Sequence, residues 1–259
     1  MLSYQHSFHA GNAADLHKHA LLATALAYLA RKPKPLSYLE THAGRGFYRI
    51  DSPEALKTGE AEAGVARLEA RFPEDHPWRA AVAAARAAHG PAAYPGSPWI
   101  AAHLTRPGDR IDLAELHPAE HAALEAAMPA RPGLRMHRRD GLEMAKALVP
   151  PEPRRGLMLI DPSWEVRDDY ARLAGLLPVL HRKWNVGVLM LWYPILADRR
   201  HAPMIRALRT ALPGLMVSEV AVPQARAGHG LRGSGMAVVN PPWGLEEEAA
   251  RIAARIEEG

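Results

Sequence analysis

Asp161-Pro162-Ser163-Trp164 follows the apolar run Leu157-Met158-Leu159-Ile160, which reads as a buried strand. An acid, a proline and an indole therefore stand at the carboxyl end of a strand, the edge where open parallel sheets bind ligands. Such a corner suits a planar amine. The exocyclic nitrogen of an aromatic base is a poor nucleophile, because its lone pair is delocalised into the ring. A carboxylate and a neighbouring backbone carbonyl that accept its two hydrogens return density to it. A flat side chain adds stacking, worth about 1–3 kcal/mol per base. Asp161 and Pro162 are the expected working residues, and Trp164 the expected stacking surface.

Other residues of the right type fall at strand ends. Gly44 and Gly46 follow Glu40 in the turn Thr41-His42-Ala43-Gly44-Arg45-Gly46, and glycine lets backbone approach a ligand closely. Glu115 closes a second strand, where an acid can accept both hydroxyls of a ribose; it equally suits a solvated acid ahead of a helix. Asp140-Gly141 closes a third. There the acid can accept from an adenine amino group and also cap the helix that follows. A second corner, Asn240-Pro241-Pro242-Trp243, comes after the last strand. Prolines at a strand exit also simply end pairing, so Asp161 is the expected working corner.

Tyr4, His6, Phe8, His9, Asn12, His17, Lys18 and His19 crowd the first twenty residues. His17 and His19 do not share a helix face, and there is no cysteine, so no metal is expected. Pocket shaping or contact with nucleic-acid phosphate is the alternative reading, with Tyr4 able to stack on a nucleobase. Arg226, Gly228, His229, Gly230, Arg232, Gly233 and Gly235 read as a basic loop beside the site.

The 259 residues, 48% of them hydrophobic, suit one large α/β domain. The absence of cysteine excludes disulfides and thiolate metal sites. No apolar run approaches the ~20 residues of a membrane span, and Met1 to His9 lacks a signal pattern. A cytoplasmic, monomeric protein is expected. Net charge is +4, from 32 basic and 28 acidic residues. Arginine predominates among the bases and offers a planar fork to phosphate, which permits nucleic acid as a partner without demonstrating it.

The elements that must carry these residues alternate. Helices are expected over 12–31, 98–105, 118–128, 141–148, 168–183, 199–211 and 245–258, with strands over 36–40, 110–115, 134–137, 156–161 and 186–192. Residues 215–222 and 234–240 can pair as a terminal hairpin. Residues 53–92 are expected as an inserted helical subdomain, broken at Pro73 and Pro77. Strands alternating with helices indicate a doubly wound, mostly parallel sheet. No G-x-x-x-x-G-K-S/T run is present, which argues against a P-loop nucleotide hydrolase.

The first corner is close to the D/N/S-P-P-Y/F/W pattern of amino-methylating enzymes, with Ser163 where the second proline is usual. The ordered set of Gly44, Glu115, Asp140 and Asp161 is similar to that of S-adenosylmethionine methyltransferases. The opening Met1-Leu2-Ser3-Tyr4-Gln5-His6-Ser7-Phe8-His9-Ala10-Gly11-Asn12 resembles bacterial 23S ribosomal RNA adenine-N6 methyltransferases of the RlmJ type. So do Thr41-His42-Ala43-Gly44, Tyr94-Pro95-Gly96-Ser97-Pro98, Glu115-Leu116-His117-Pro118, Asp140-Gly141 and Leu191-Trp192-Tyr193-Pro194.

The resemblance covers nearly the whole chain. It implies a Rossmann-like S-adenosylmethionine methyltransferase that modifies adenine N6 in 23S ribosomal RNA, at adenine 2030 in the family. By carry-over, His19, His42, Ser97, Glu115, Asp140, Gly141 and Asp161 contact S-adenosyl-L-methionine, and Tyr4 and Lys18 lie near the RNA. Rival readings are a DNA adenine or protein-amide methyltransferase, a non-catalytic RNA-binding protein of the same fold, and a nicotinamide-dependent oxidoreductase.

Overall fold

A computed structural model of the chain describes residues 6–166, 168–222 and 230–258. Seven strands form the main sheet: β1 (Ser37–Glu40), β4 (Arg110–Ala114), β5 (Leu134–His137), β6 (Gly156–Ile160), β7 (Val188–Leu196), β8 (Met216–Ala221) and β9 (Leu231–Val239). Their spatial order is β5-β4-β1-β6-β7-β9-β8. The first five are parallel to one another, and β9 runs antiparallel between β7 and β8. From β1 the chain builds outward through β4 and β5, then crosses back to place β6 on the other side of β1. The reversal opens a crevice beyond the carboxyl ends of β1 and β6, where doubly wound sheets take their ligands.

Period-two alternation sorts the central strands onto two cores. Tyr38, Leu157, Leu159 and Met190 face one layer, with Leu16, Leu21 and Leu26 of α1 (Ala13–Ala30) and Ile252 of α9 (Leu245–Glu257). Leu39, Met158, Ile160, Leu189 and Leu191 face the other, with Leu173 and Leu177 of α7 (Asp169–Lys183) and Leu208 of α8 (His201–Ala211). Helix α1 is buried over most of its circumference, as a helix apolar all round must be. Its polar side chains are therefore delivered into the protein rather than to solvent.

Residues 47–95 leave the sheet after β1 and return to it. A short antiparallel ribbon of β2 (Phe47–Arg49) and β3 (Ala93–Pro95) brackets helices α2 (Pro53–Thr58) and α3 (Pro77–His89). Sequence reading treats 94–98 as a turn, whereas Tyr94 and Pro95 pair with Tyr48 and Phe47. Three-residue strands leave no alternation to detect. Phe72, Trp78, Ala81 and Val82 of this segment join the α1 core cluster. The remaining helices are α4 (Ser97–Leu104), α5 (Pro118–Ala127) and α6 (Gly141–Leu148).

The terminal strands also differ from expectation. β7 continues to Leu196, and β9 begins at Leu231. Arg232, Gly233 and Gly235 are thus strand residues rather than loop. Gly235 has a packing reason, since a Cβ there would lie 2.1 Å from the Tyr193 ring. Arg226, Gly228 and His229 lie outside the described residues, as does Tyr4.

Candidate active site

A cleft of about 530 Å³ opens at the carboxyl edge, lined among others by Asp15, Lys18, His19, His42, Ser97, Glu115, Asp140, Gly141, Asp161 and Trp192. Every described residue expected to touch cofactor or the methylated amine lines this one cleft. The second corner does not. Because β9 runs antiparallel, with Val239 opposite Leu189, Asn240 emerges at the other edge of the sheet. Its amide donates to the carbonyls of Asn185 and Gly187, both at 2.9 Å, which fixes a turn.

Asp161 is one residue beyond β6 and continues the face of Leu157 and Leu159, toward α1. Lys18 meets it there, with Nζ 2.7 Å from Asp161 Oδ2 and 3.0 Å from Asp15 Oδ1. The ammonium also lies 5.5 Å from the centre of the Trp192 ring. The Lys18 side chain is only 5% exposed and lines the cleft. It joins a carboxylate of its own helix α1 to the one that follows β6. Asp15 is further bound by His6 Nε2 at 2.9 Å and the Gly11 amide at 3.0 Å. Burial opposes its ionisation, yet His6, Lys18 and His19 hold it well below the ordinary carboxylate range.

Trp164 lines the cleft but is largely covered. It has φ of 58°, is 7% exposed, and packs on Tyr170 at 4.5 Å. The apolar layer of α7 takes most of the ring, leaving a narrow margin on the cleft. Its indole N–H is buried with no partner among the described residues. The more accessible ring is Trp192, half-buried, its N–H donating to Ser234 Oγ at 2.9 Å. Sequence reading missed it because Trp192 lies within an otherwise apolar strand run.

The other residues are held by local structure. Gly141 opens α6, and a Cβ there would lie 1.7 Å from the Thr41 carbonyl oxygen, so only glycine lets the helix start meet the β1 exit. Asp140 caps α6 through the Glu143 amide at 2.9 Å. Glu115 accepts from the amides of Gly44 and His117, at 2.9 and 2.8 Å. Burial raises its pKa against those two donors. Gly44 has φ of 59°, and a Cβ would fall 2.5 Å from Tyr48 Oη.

His19 Nδ1 is 3.0 Å from Tyr94 Oη, and burial pushes its pKa down to about 3. Burial likewise lowers the His42 pKa. Both rings are neutral near pH 7. His17 is not at the site: it is buried between Ser234 and Ser218, each 2.9 Å away, and ties α1 to β8 and β9.

Glu40 is a second residue the sequence did not single out. It is fully buried behind the cleft, accepting from Tyr38 Oη at 2.8 Å and Ser97 Oγ at 2.5 Å. Burial pushes its pKa up to about 8 against those two hydroxyls. Among the described residues, no group of three His, Asp or Glu could hold a metal ion. No described helix is long and apolar enough to cross a membrane.

A parallel sheet with one antiparallel strand set before its last, with a glycine turn after β1 and acids after β4, β5 and β6 on one cleft, is a Rossmann-like methyltransferase fold. Residues 33–258 match the family model described as Ribosomal RNA large subunit methyltransferase D, RlmJ. The chain belongs to that family. It is 37% identical over 258 residues to Ribosomal RNA large subunit methyltransferase J of Escherichia coli K12, covering 97% of this chain and 91% of the relative. It is 38% identical to the Haemophilus influenzae protein of the same name, covering 97% and 92%. A crystal structure of a Legionella pneumophila protein superposes with a TM-score of 0.85 at 30% identity, covering 97% of this chain and 95% of that one.

Proposed function

We propose that this protein transfers a methyl group from S-adenosyl-L-methionine to the N6 amine of an adenine in 23S ribosomal RNA. The observation that carries this reading is the position of Asp161, on the cleft at the sheet's reversal point, with its Oδ2 held by Lys18. A carboxylate has about four acceptor sites on two oxygens, so Oδ1 remains to accept from an amine.

The cleft's own groups fit the cofactor. Glu115 keeps acceptor capacity for ribose hydroxyls, since each oxygen takes a single backbone donor. Asp140 Oδ1 caps α6, and Oδ2, with the Arg172 guanidinium 4.0 Å away, keeps acceptor capacity for an adenine amino group. Ser97 Oγ, held 2.5 Å from Glu40 Oε1, presents a hydroxyl oxygen to the cleft. His19, His42 and Gly141 complete the wall.

The sulfonium supplies an electrophilic methyl, so the protein's task is position and acceptor dipoles. Asp161 and the Pro162 carbonyl accept hydrogen bonds from the amine, which gains the methyl and gives up one of its two protons as S-adenosylhomocysteine leaves; Lys18 fixes the Asp161 carboxylate, and Trp192 presents a face for the base. The base must leave its stack to reach this corner, so a flipped or unpaired adenine is the substrate. Action is in the cytoplasm, where ribosomal RNA is found.

The test is incubation of the purified protein with methyl-labelled cofactor and, separately, a 23S transcript, duplex DNA and unmodified cell protein. Label in the transcript alone, recovered as N6-methyladenosine, is the expected result. Label in DNA or protein would transfer the corner to a different amine.

A further inference from the structure

The edge of the sheet opposite the cleft concentrates arginine and lysine. The strand starts stand side by side there, since Ser37 of β1 pairs with both Arg110 of β4 and Gly156 of β6. The loop that enters β1 carries Arg31, Lys32 and Lys34, all exposed. Two further arginines hold it by its carbonyls. Arg106 donates to Lys32 O at 3.0 Å and to Lys34 O at 2.6 Å. Arg155 donates to Lys34 O at 2.9 Å and also to Leu29 O.

Cations are thus used to brace a loop that itself presents cations. Desolvation and the neighbouring Arg106 together lower the Arg155 pKa. Buried Asp109 offsets part of this: it accepts from the amides of Leu36 and Arg106 and pairs with the Arg106 side chain at 3.4 Å, while the exposed side chains of Arg31, Lys32, Lys34 and Arg154 stand outside that pairing, with Glu152 exposed beside them.

The same edge also carries an aromatic ring. Exposed Arg154 reaches Asn185 Oδ1 at 3.5 Å, and Asn185 O accepts from Asn240. Three residues beyond Asn240, Trp243 is 78% exposed. Basic side chains bordered by a solvent-facing indole match the needs of a nucleic-acid backbone with an unpaired base. The five-residue strands of the sheet are about 17 Å long. The two edges therefore lie within one turn of a nucleic-acid duplex, about 34 Å.

We propose that this amino-terminal edge is a second RNA-docking surface, which grips the sugar-phosphate backbone of ribosomal RNA at a segment away from the methylated adenine. The proposal rests on the RNA-methyltransferase reading above and adds to it where the rest of the RNA is held. Arg31, Lys32, Lys34 and Arg154 contact phosphates, Arg106 and Arg155 brace them, and Trp243 stacks on an unpaired base.

The test combines Lys32→Ala, Lys34→Ala and Arg154→Ala, three exposed side chains outside the cleft whose removal leaves the bracing carbonyls in place. Dissociation constants are measured against salt for a domain-length 23S transcript. Methylation kinetics are measured on the shortest transcript that the wild type still modifies. Three lost phosphate contacts should flatten the plot of log Kd against log salt by about two. They should also weaken long-transcript binding at least tenfold at low salt, with kcat/KM on the short transcript unchanged. Trp243→Ala should weaken long-transcript binding alone, leaving the salt slope as it was.

An unchanged affinity and slope on the long transcript would overturn the proposal. So would an equal loss on both lengths, or a loss confined to ribosomal particles, which would point to a protein partner. Binding is read without turnover, so failure here is distinct from absence of methyl transfer by the wild type.

Discussion

Lys18 Nζ and Asp161 Oδ2 lie 2.7 Å apart although 143 positions separate them in the chain. That pair locks α1 to the end of β6, and Asp15 shares the same ammonium at 3.0 Å. Lys18→Met removes the cation between two largely buried carboxylates. Breaking a buried pair from one side costs about 3–5 kcal/mol. Methyl transfer should fall by about 10²-fold, the scale of a misplaced reacting group, while cofactor affinity changes only a few-fold. Single-turnover kinetics and calorimetry on the same preparation separate the two.

Glu40 makes stability depend on pH. Its folded pKa, about 8, lies above the ordinary 4.5. Between those values the unfolded chain releases the proton and the folded one keeps it. Its contribution is therefore full below pH 4.5 and is lost as pH rises toward 8, with a limiting slope of about 1.4 kcal/mol per pH unit. Denaturant midpoints at pH 5 and pH 8 should show the decline, and Glu40→Gln should flatten it.

Gly141→Ala should fail by collision. The new Cβ would sit 1.7 Å from Thr41 O, a backbone atom just past β1 that cannot swing away. A loss of at least about 2–3 kcal/mol is expected, together with loss of measurable cofactor binding. Gly175, where a Cβ meets nothing within 4 Å, is the control that should fold normally as alanine.

The two tryptophans of the cleft should separate. Trp164→Ala empties a core site and should cost about 3–5 kcal/mol. Trp192→Ala should instead raise KM for RNA about tenfold or more, the worth of one stacked base, with a smaller effect on folding. Thermal melts and initial rates on one RNA substrate distinguish them.

Much of this was legible in the residues. Strand-like segments before Glu40, Glu115, Asp140 and Asp161, of which only 157–160 is an unbroken apolar run, mark strand ends, and a parallel sheet must bring such ends to one edge. The contacts across the sequence were not legible. Nothing local shows that Lys18 meets Asp161, or that Glu40 sits under Ser97. An acid at a strand end reads alike whether it faces the cleft or the core. The competing Asn240 corner is settled by strand direction, which a sequence of short elements leaves open. Motif position puts Trp164 on the cleft, which it lines, but that the apolar surface of α7 covers most of the ring depends on a contact no local sequence shows.

The most direct measurement is nucleoside mass spectrometry of a 23S transcript treated with cofactor and either the wild type or Asp161→Ala, with cofactor binding of both followed by calorimetry. N6-methyladenosine should form with the wild type and be absent with the variant, which should still bind cofactor within a few-fold. Near-normal N6-methyladenosine from Asp161→Ala would contradict the account.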